Sequence, residues 1–201
     1  AQLGLLLTFF IQGFVTTTTI PRVPELIAQI DVSFAQWGLI IGISGAGSLL
    51  PLVFTHRLVN RFGTRLVVRV SSVAIALIVM SLAFAKNPLL FFILYAAQSF
   101  IFSIFNISLN AQAVMLQKQI KRVVIGRFHG AWSLGATISA AVSGILSTFL
   151  PLFWHLIIIP LICGLAFFFA TRLMLSPAQD GHALEREASG KSPNWLKSPT
   201  M

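Results

Sequence analysis

Charged side chains in this chain are confined to short clusters, and long apolar stretches with almost no charge lie between them. No motif in the chain constrains the fold as strongly as this pattern. A soluble domain of 201 residues needs charge spread over its whole surface, yet only 9% of the residues here are charged and 56% are apolar. In a bilayer no water satisfies backbone N–H and C=O groups. A stretch of about 20 apolar residues therefore satisfies them internally, as an α-helix. The pattern specifies an all-α, polytopic membrane protein.

Six apolar runs predict six transmembrane helices, approximately 3–20, 34–54, 66–85, 88–117, 123–149 and 152–175, forming one bundle over 1–175. Pro21 and Pro24 are expected to end the first. Ser33 and Gln36 have capping-box spacing before the second, with Asp31 beside the same helix start. Asn87-Pro88 reads as an N-cap followed by proline at the first helical position of the fourth. Pro51 and Pro160 fall inside predicted helices and should kink them. The segment 176–201 is polar, rich in Pro, Gly and Ser, and reads as a cytoplasmic linker or tail. The opening from Ala1 into Leu3 to Phe14 has neither the basic start nor the small-residue cleavage site of a signal peptide.

Counting charge by side orients the bundle. Arg57, Arg61, Arg65 and Arg69 follow span two; Lys118, Lys121, Arg122 and Arg127 follow span four; Arg172, Arg186, Lys191 and Lys197 follow span six. Only Arg22 and Lys86 fall on the alternate side, so twelve of the fourteen basic residues share one side. That side is expected to be the cytoplasm, with both termini cytoplasmic and the protein in the inner membrane. The same placement argues against nucleic acid as a partner, because the basic excess belongs to loops between apolar spans. Cys163, the single cysteine, allows no internal disulfide and no Cys-based metal site.

No Gly-rich phosphate loop, His-Glu-x-x-His or serine elbow occurs, and no carboxylate falls inside a span, so neither an enzyme nor a cofactor or metal is expected. The spans do carry uncharged polar stripes. Ser99, Ser103, Asn106 and Asn110 share one face of span four, and Thr8, Gln12, Thr16 and Thr19 share one face of span one. Such residues either join helices by hydrogen bonds or line a wet cavity. The hydroxyls suit the first role. The amides of Gln12, Asn106 and Asn110 suit the second, since an amide offers both donors and acceptors to a polar solute. His129 at the start of span five reads as a solute or proton contact, or as an interfacial anchor, and Trp132 as an interface residue or a stacking surface. Small residues recur every four positions, at Gly38 and Gly42, Gly126 and Gly130, Ala131 and Gly135, and Ser139 and Ser143, and predict close helix contacts.

The stretch His56-Arg57-Leu58-Val59-Asn60-Arg61-Phe62-Gly63-Thr64-Arg65 resembles the loop signature of the major facilitator superfamily. Asn60, Arg61, Gly63 and Arg65 match it, while His56 replaces the leading glycine. Pro21-Arg22-Val23-Pro24, Asn110-Ala111-Gln112, Arg127-Phe128-His129 and Ala131-Trp132-Ser133-Leu134-Gly135 resemble the fucose permease-like branch. The resemblance implies two inverted three-helix repeats forming half of a twelve-helix fold, with the solute bound between halves near the midplane. Ala35-Gln36-Trp37-Gly38 against Gly130-Ala131-Trp132-Ser133 is a faint internal echo of such a repeat. It further implies a cavity lined by helices one, two, four and five, and a cytoplasmic latch at Asn60, Arg61, Gly63 and Arg65.

Two departures bear on mechanism. The carboxylate that sugar–proton symporters keep in helix one or four is absent, so coupling lies in a second half or at His129, or transport is not proton-driven. No proline falls between Val123 and Leu150, unlike drug antiporters. The resulting expectation is a secondary transporter, or its N-terminal half, moving a small polar solute, with a sugar brought forward by the branch. Gln12, Thr16, Asn106, Asn110, His129 and Trp132 are the expected solute contacts. The expected partners are the lipid bilayer and a second six-helix half, covalent or as a homodimer. A non-transporting assembly subunit and an inactive truncated remnant remain open alternatives.

Overall fold

The computed structural model describes residues 1–176 and residue 179; the rest of the expected tail lies outside the described residues. No strand occurs among them. Eight α-helices follow one another: α1 (Gln2–Thr17), α2 (Val23–Ile30), α3 (Phe34–Gly45), α4 (Pro51–Phe62), α5 (Thr64–Ser81), α6 (Pro88–Ile120), α7 (Ile125–Leu146) and α8 (Leu152–Arg172). Single 3₁₀ turns join α1 to α2, extend α3 and extend α5.

Local chemistry explains the boundaries. Ser33 Oγ accepts from the Gln36 N–H at 3.3 Å while Gln36 Oε1 accepts from the Ser33 N–H at 2.8 Å, a complete capping box at the start of α3. Asn87 Oδ1 accepts from the Leu90 N–H at 2.8 Å, with Pro88 in the first turn of α6. Gly63 at φ 78° closes α4 and opens α5 within a single residue, a conformation that an L side chain rarely adopts.

Several sequence expectations change here. Pro21 and Pro24 do not end the first span: each sits in the first turn of a new helical segment, where its missing N–H costs nothing, and the apolar helical stretch continues to Ile30. Pro51 likewise opens α4 instead of lying mid-helix. The kink expected there is a break, with Phe34–Ser48 and Pro51–Phe62 bent by 44°. Pro160 lies inside an otherwise unbroken α8. Asp31 takes a left-handed conformation at the C-cap of α2, two residues before the N-cap of α3.

Gln2–Ile30, Thr64–Phe84, Pro88–Ile120 and Leu152–Arg172 are each long and apolar enough to cross a membrane, and the bent α3–α4 pair brings the number to five. The sixth expected span, α7, has 22 residues and hence about 33 Å of length, enough to cross. Arg127, His129 and its many Gly and Ser residues leave it short of the apolarity of the others. The described residues form a multi-pass helical membrane protein, and α7 is long enough to cross but less apolar than the other long helices.

Packing runs around the bundle as α7–α1–α8–α5–α6, with α3 and α4 against α6. The α1–α7 contact is the most extensive, and two glycines set it. A Cβ on Gly13 would meet the Trp132 carbonyl oxygen at 2.0 Å, and one on Gly135 would meet that of Phe10 at 2.1 Å. The seam continues through Ser139, whose hydroxyl donates to Phe14 O at 2.6 Å, and Thr17, which donates to Ala136 O at 3.2 Å. Of the predicted small-residue ridges, Gly135, Ser139 and Ser143 are buried here, while Gly38, Gly42, Gly126 and Gly130 have open space where a side chain would go. Phe9, Phe105, Phe128 and Phe167 fill the core. In contrast, α6 touches α1 and α7 only sparsely, so that a cleft opens between them.

Candidate solute-binding cleft

The cleft holds a cavity of about 280 Å³ lined by Phe9 and Gln12 from α1, Phe102 and Asn106 from α6, and His129 and Trp132 from α7. Phe102 also borders a second cavity of about 160 Å³ lined by Thr16, Tyr95, Gln98 and Ser99. Helical spacing explains the composition of the α6 wall: Tyr95, Ser99, Phe102 and Asn106 are spaced four, three and four, so one face alternates aromatic and polar groups.

Of the expected solute contacts, Gln12, Asn106, His129 and Trp132 come together in the larger cavity and Thr16 borders the smaller one. Asn110 does not line either. Its Nδ2 donates to Asn106 Oδ1 and to Asn106 O, both at 2.9 Å, so it holds the Asn106 amide from one turn away. This hydrogen bond engages the Asn106 carbonyl and leaves its NH₂ as a donor. Thr16 donates its hydroxyl to Gln12 O at 2.8 Å, which leaves only lone pairs for a ligand. His129 meets the Phe9 ring edge-on, with centroids 5.6 Å apart. Thr8 is buried in the core and donates to Gly4 O of its own helix at 2.7 Å. Polar donors, acceptors and aromatic faces thus surround a space the size of a small polar molecule, and no carboxylate of the described residues borders it.

Sequence reasoning missed Phe9, Phe102, Tyr95 and Gln98. The spacing that singled out Ser99 and Asn106 also reaches Tyr95 and Phe102, but only polar members of the stripe were followed. Gln98 places its side-chain oxygen in the protein interior without a protein donor.

Away from the cleft, charge segregates to the two ends of the bundle. Arg65 Nε donates to Thr171 O at 2.8 Å and its Nη2 to Arg172 O, while Arg69 Nε donates to Thr171 Oγ1 at 3.0 Å. These contacts place cations on the last turn of α8, where unpaired carbonyls and the helix dipole favour them. Asn60 and Arg61 lie exposed at the end of α4, with the Arg61 guanidinium 5.3 Å from the Phe62 ring centroid. At the opposite end Arg22, which had been expected in an outer loop, is fully buried. It pairs with Glu25 at 3.0 Å and donates to Leu150 O at 2.7 Å. Beside it, Thr18 bonds both Ser143 at 2.8 Å and His155 at 2.9 Å, tying α1, α7 and α8 together.

Apolar helices built around a polar cleft, with basic residues massed at one end, define a polytopic membrane protein. The chain belongs to the Major Facilitator Superfamily, whose family model matches residues 5–197. It is 30% identical over 139 residues to an uncharacterized MFS-type transporter of Yersinia pestis, covering 69% of this chain and 36% of that protein. It is 27% identical over 167 residues to an uncharacterized transporter of Sinorhizobium fredii, covering 80% of this chain and 43% of that protein. The matched region thus spans less than half of either relative.

Proposed function

We propose that this chain forms one six-helix half of a secondary transporter that moves a small, uncharged polar solute across the inner membrane by alternating access. Both termini are cytoplasmic in this reading, since the basic end of the bundle faces the cytoplasm. The convergence of Gln12, Asn106, His129 and Trp132 from three helices on one cavity supports it most directly. Amides to hydrogen-bond hydroxyls, and an indole face on which a ring can lie, suit a sugar or polyol better than an ion. Asn60, Arg61, Gly63 and Arg65 act as the cytoplasmic latch, with Arg65 holding the end of α8. A second half, covalent or as a second copy, closes the open side of the cleft.

The test is thermal stabilisation of the full-length natural protein by a panel of monosaccharides and polyols, followed by uptake of the stabilising compound into proteoliposomes. Asn106→Ala should weaken binding about five- to thirtyfold, the equivalent of one or two hydrogen bonds, while membrane insertion is retained. No stabilisation by any member of the panel would favour an assembly subunit or an inactive remnant instead.

A further inference from the structure

A third cavity, of about 320 Å³, lies on the outside of the bundle, apart from the polar cleft. Leu58 and Phe62 of α4 form one wall, Leu66 and Val70 of α5 the other, and Ile101 and Ile104 of α6 the floor. Its walls are open to the surroundings, for Phe62, Leu66 and Val70 are all exposed. On α6, Ile101 and Ile104 point roughly opposite to Ser99, Phe102 and Asn106, so the groove faces away from the cleft.

Positive charge stands at its mouth. Arg61 lies over the ring of Phe62, a wall residue, and Arg57 is exposed one turn earlier on the same face of α4. Arg65 and Arg69, the next cations, are turned toward the end of α8. The only acidic side chains among the described residues, Glu25 and Asp31, belong to the opposite end of the bundle. Nothing acidic in the described chain therefore neutralises Arg57 and Arg61.

We infer that this groove binds one anionic glycerophospholipid, with an acyl chain between α4 and α5 and the headgroup phosphate at Arg57 and Arg61. An apolar slot beside the bilayer takes a chain, and guanidinium groups bind phosphate with paired hydrogen bonds. A headgroup that also carries a cation would find no carboxylate among the described residues at this end to meet it, so a net negative lipid is preferred over a zwitterionic one. The site is independent of solute binding.

The experiment uses the full-length natural protein, stripped of lipid in mild detergent and titrated with phosphatidylglycerol, phosphatidylcholine or glycerol phosphate. Native mass spectrometry should show phosphatidylglycerol retained at least about fivefold more strongly than phosphatidylcholine, and Arg57→Gln should lower that preference about fivefold. Such a change corresponds to the roughly 1 kcal/mol contributed by one cation near a membrane surface. Val70→Trp, which fills the groove, should weaken retention of both lipids. A phosphatidylglycerol carrying a photoreactive acyl chain should crosslink to peptides of α4 and α5 in the unmutated protein, a readout that does not depend on either variant folding. Equal retention of the two lipids, an unchanged preference in Arg57→Gln, or crosslinks confined to other helices would overturn the assignment. Stabilisation by glycerol phosphate equal to that by the lipid would overturn it as well, because the groove would then contribute nothing.

Discussion

Gly13 and Gly135 face each other across the α1–α7 seam, and each meets the backbone carbonyl of the other helix at a distance no Cβ could share. Gly13→Ala and Gly135→Ala should each destabilise the protein by about 1–3 kcal/mol, since backbone cannot yield as a side chain tip can. The shift in thermal or denaturant unfolding checks this, and Gly42→Ala, with open space around it, should leave unfolding unchanged. Arg22 presents a different problem, because a buried guanidinium relies on a half-exposed carboxylate. Glu25→Gln should cost on the order of 2 kcal/mol, less than when both partners are buried. Replacing Arg22 itself with Met should cost less than that, because no buried charge is left behind. Unfolding of the two variants side by side decides it; a larger loss in Arg22→Met would sink the argument. Gln12, Asn106, His129 and Trp132 could be singled out from residue type and spacing. The burial of Arg22 could not, because a basic residue between two prolines reads as a loop until α7 and α8 are seen to cover it.

At the scale of elements, capping chemistry was legible because it is local: Ser33 with Gln36 and Asn87 with Pro88 act within one turn. The roles of Pro21, Pro24 and Pro51 are not local in this sense. Proline forbids a helix interior but is welcome in a first turn, and only the path of the chain distinguishes the two. α7 has the length to cross a bilayer, but its polar and small residues serve the seam with α1 and the cleft instead of lipid. Placed alone in a translocon insertion assay, the α7 segment should insert in fewer than half of the molecules, whereas α8 should insert almost fully. One arginine near the centre of a span costs about 2.5 kcal/mol or more, and Arg127 near an end costs less, so the Gly and Ser content adds to the effect. Efficient insertion of isolated α7 would show that it needs no partner helix.

For the whole molecule, the cleft is open on one side and Gly38 and Gly42 of α3 are exposed with open space around them, which is where the proposed second half would pack. The complex extracted from its native membrane should have a protein mass roughly twice the 21.9 kDa of this chain, whether as one polypeptide or as two copies. A mass equal to the chain alone would remove the second half from the proposal. Sequence by itself determined that the protein is helical and membrane-embedded, and that its basic residues gather at one end. Those properties follow from composition along the chain, because lipid leaves backbone groups no partner but the helix itself. Tertiary structure alone decided which polar side chains share a cavity, that Asn110 steadies Asn106 instead of lining the space, and that Gly13 and Gly135 permit the closest helix pair. The cavity and the glycine seam depend on residues far apart in the chain meeting across a bundle, and the role of Asn110 depends on which face of α6 the cleft takes; periodicity within one helix carries no information about which face its neighbour covers.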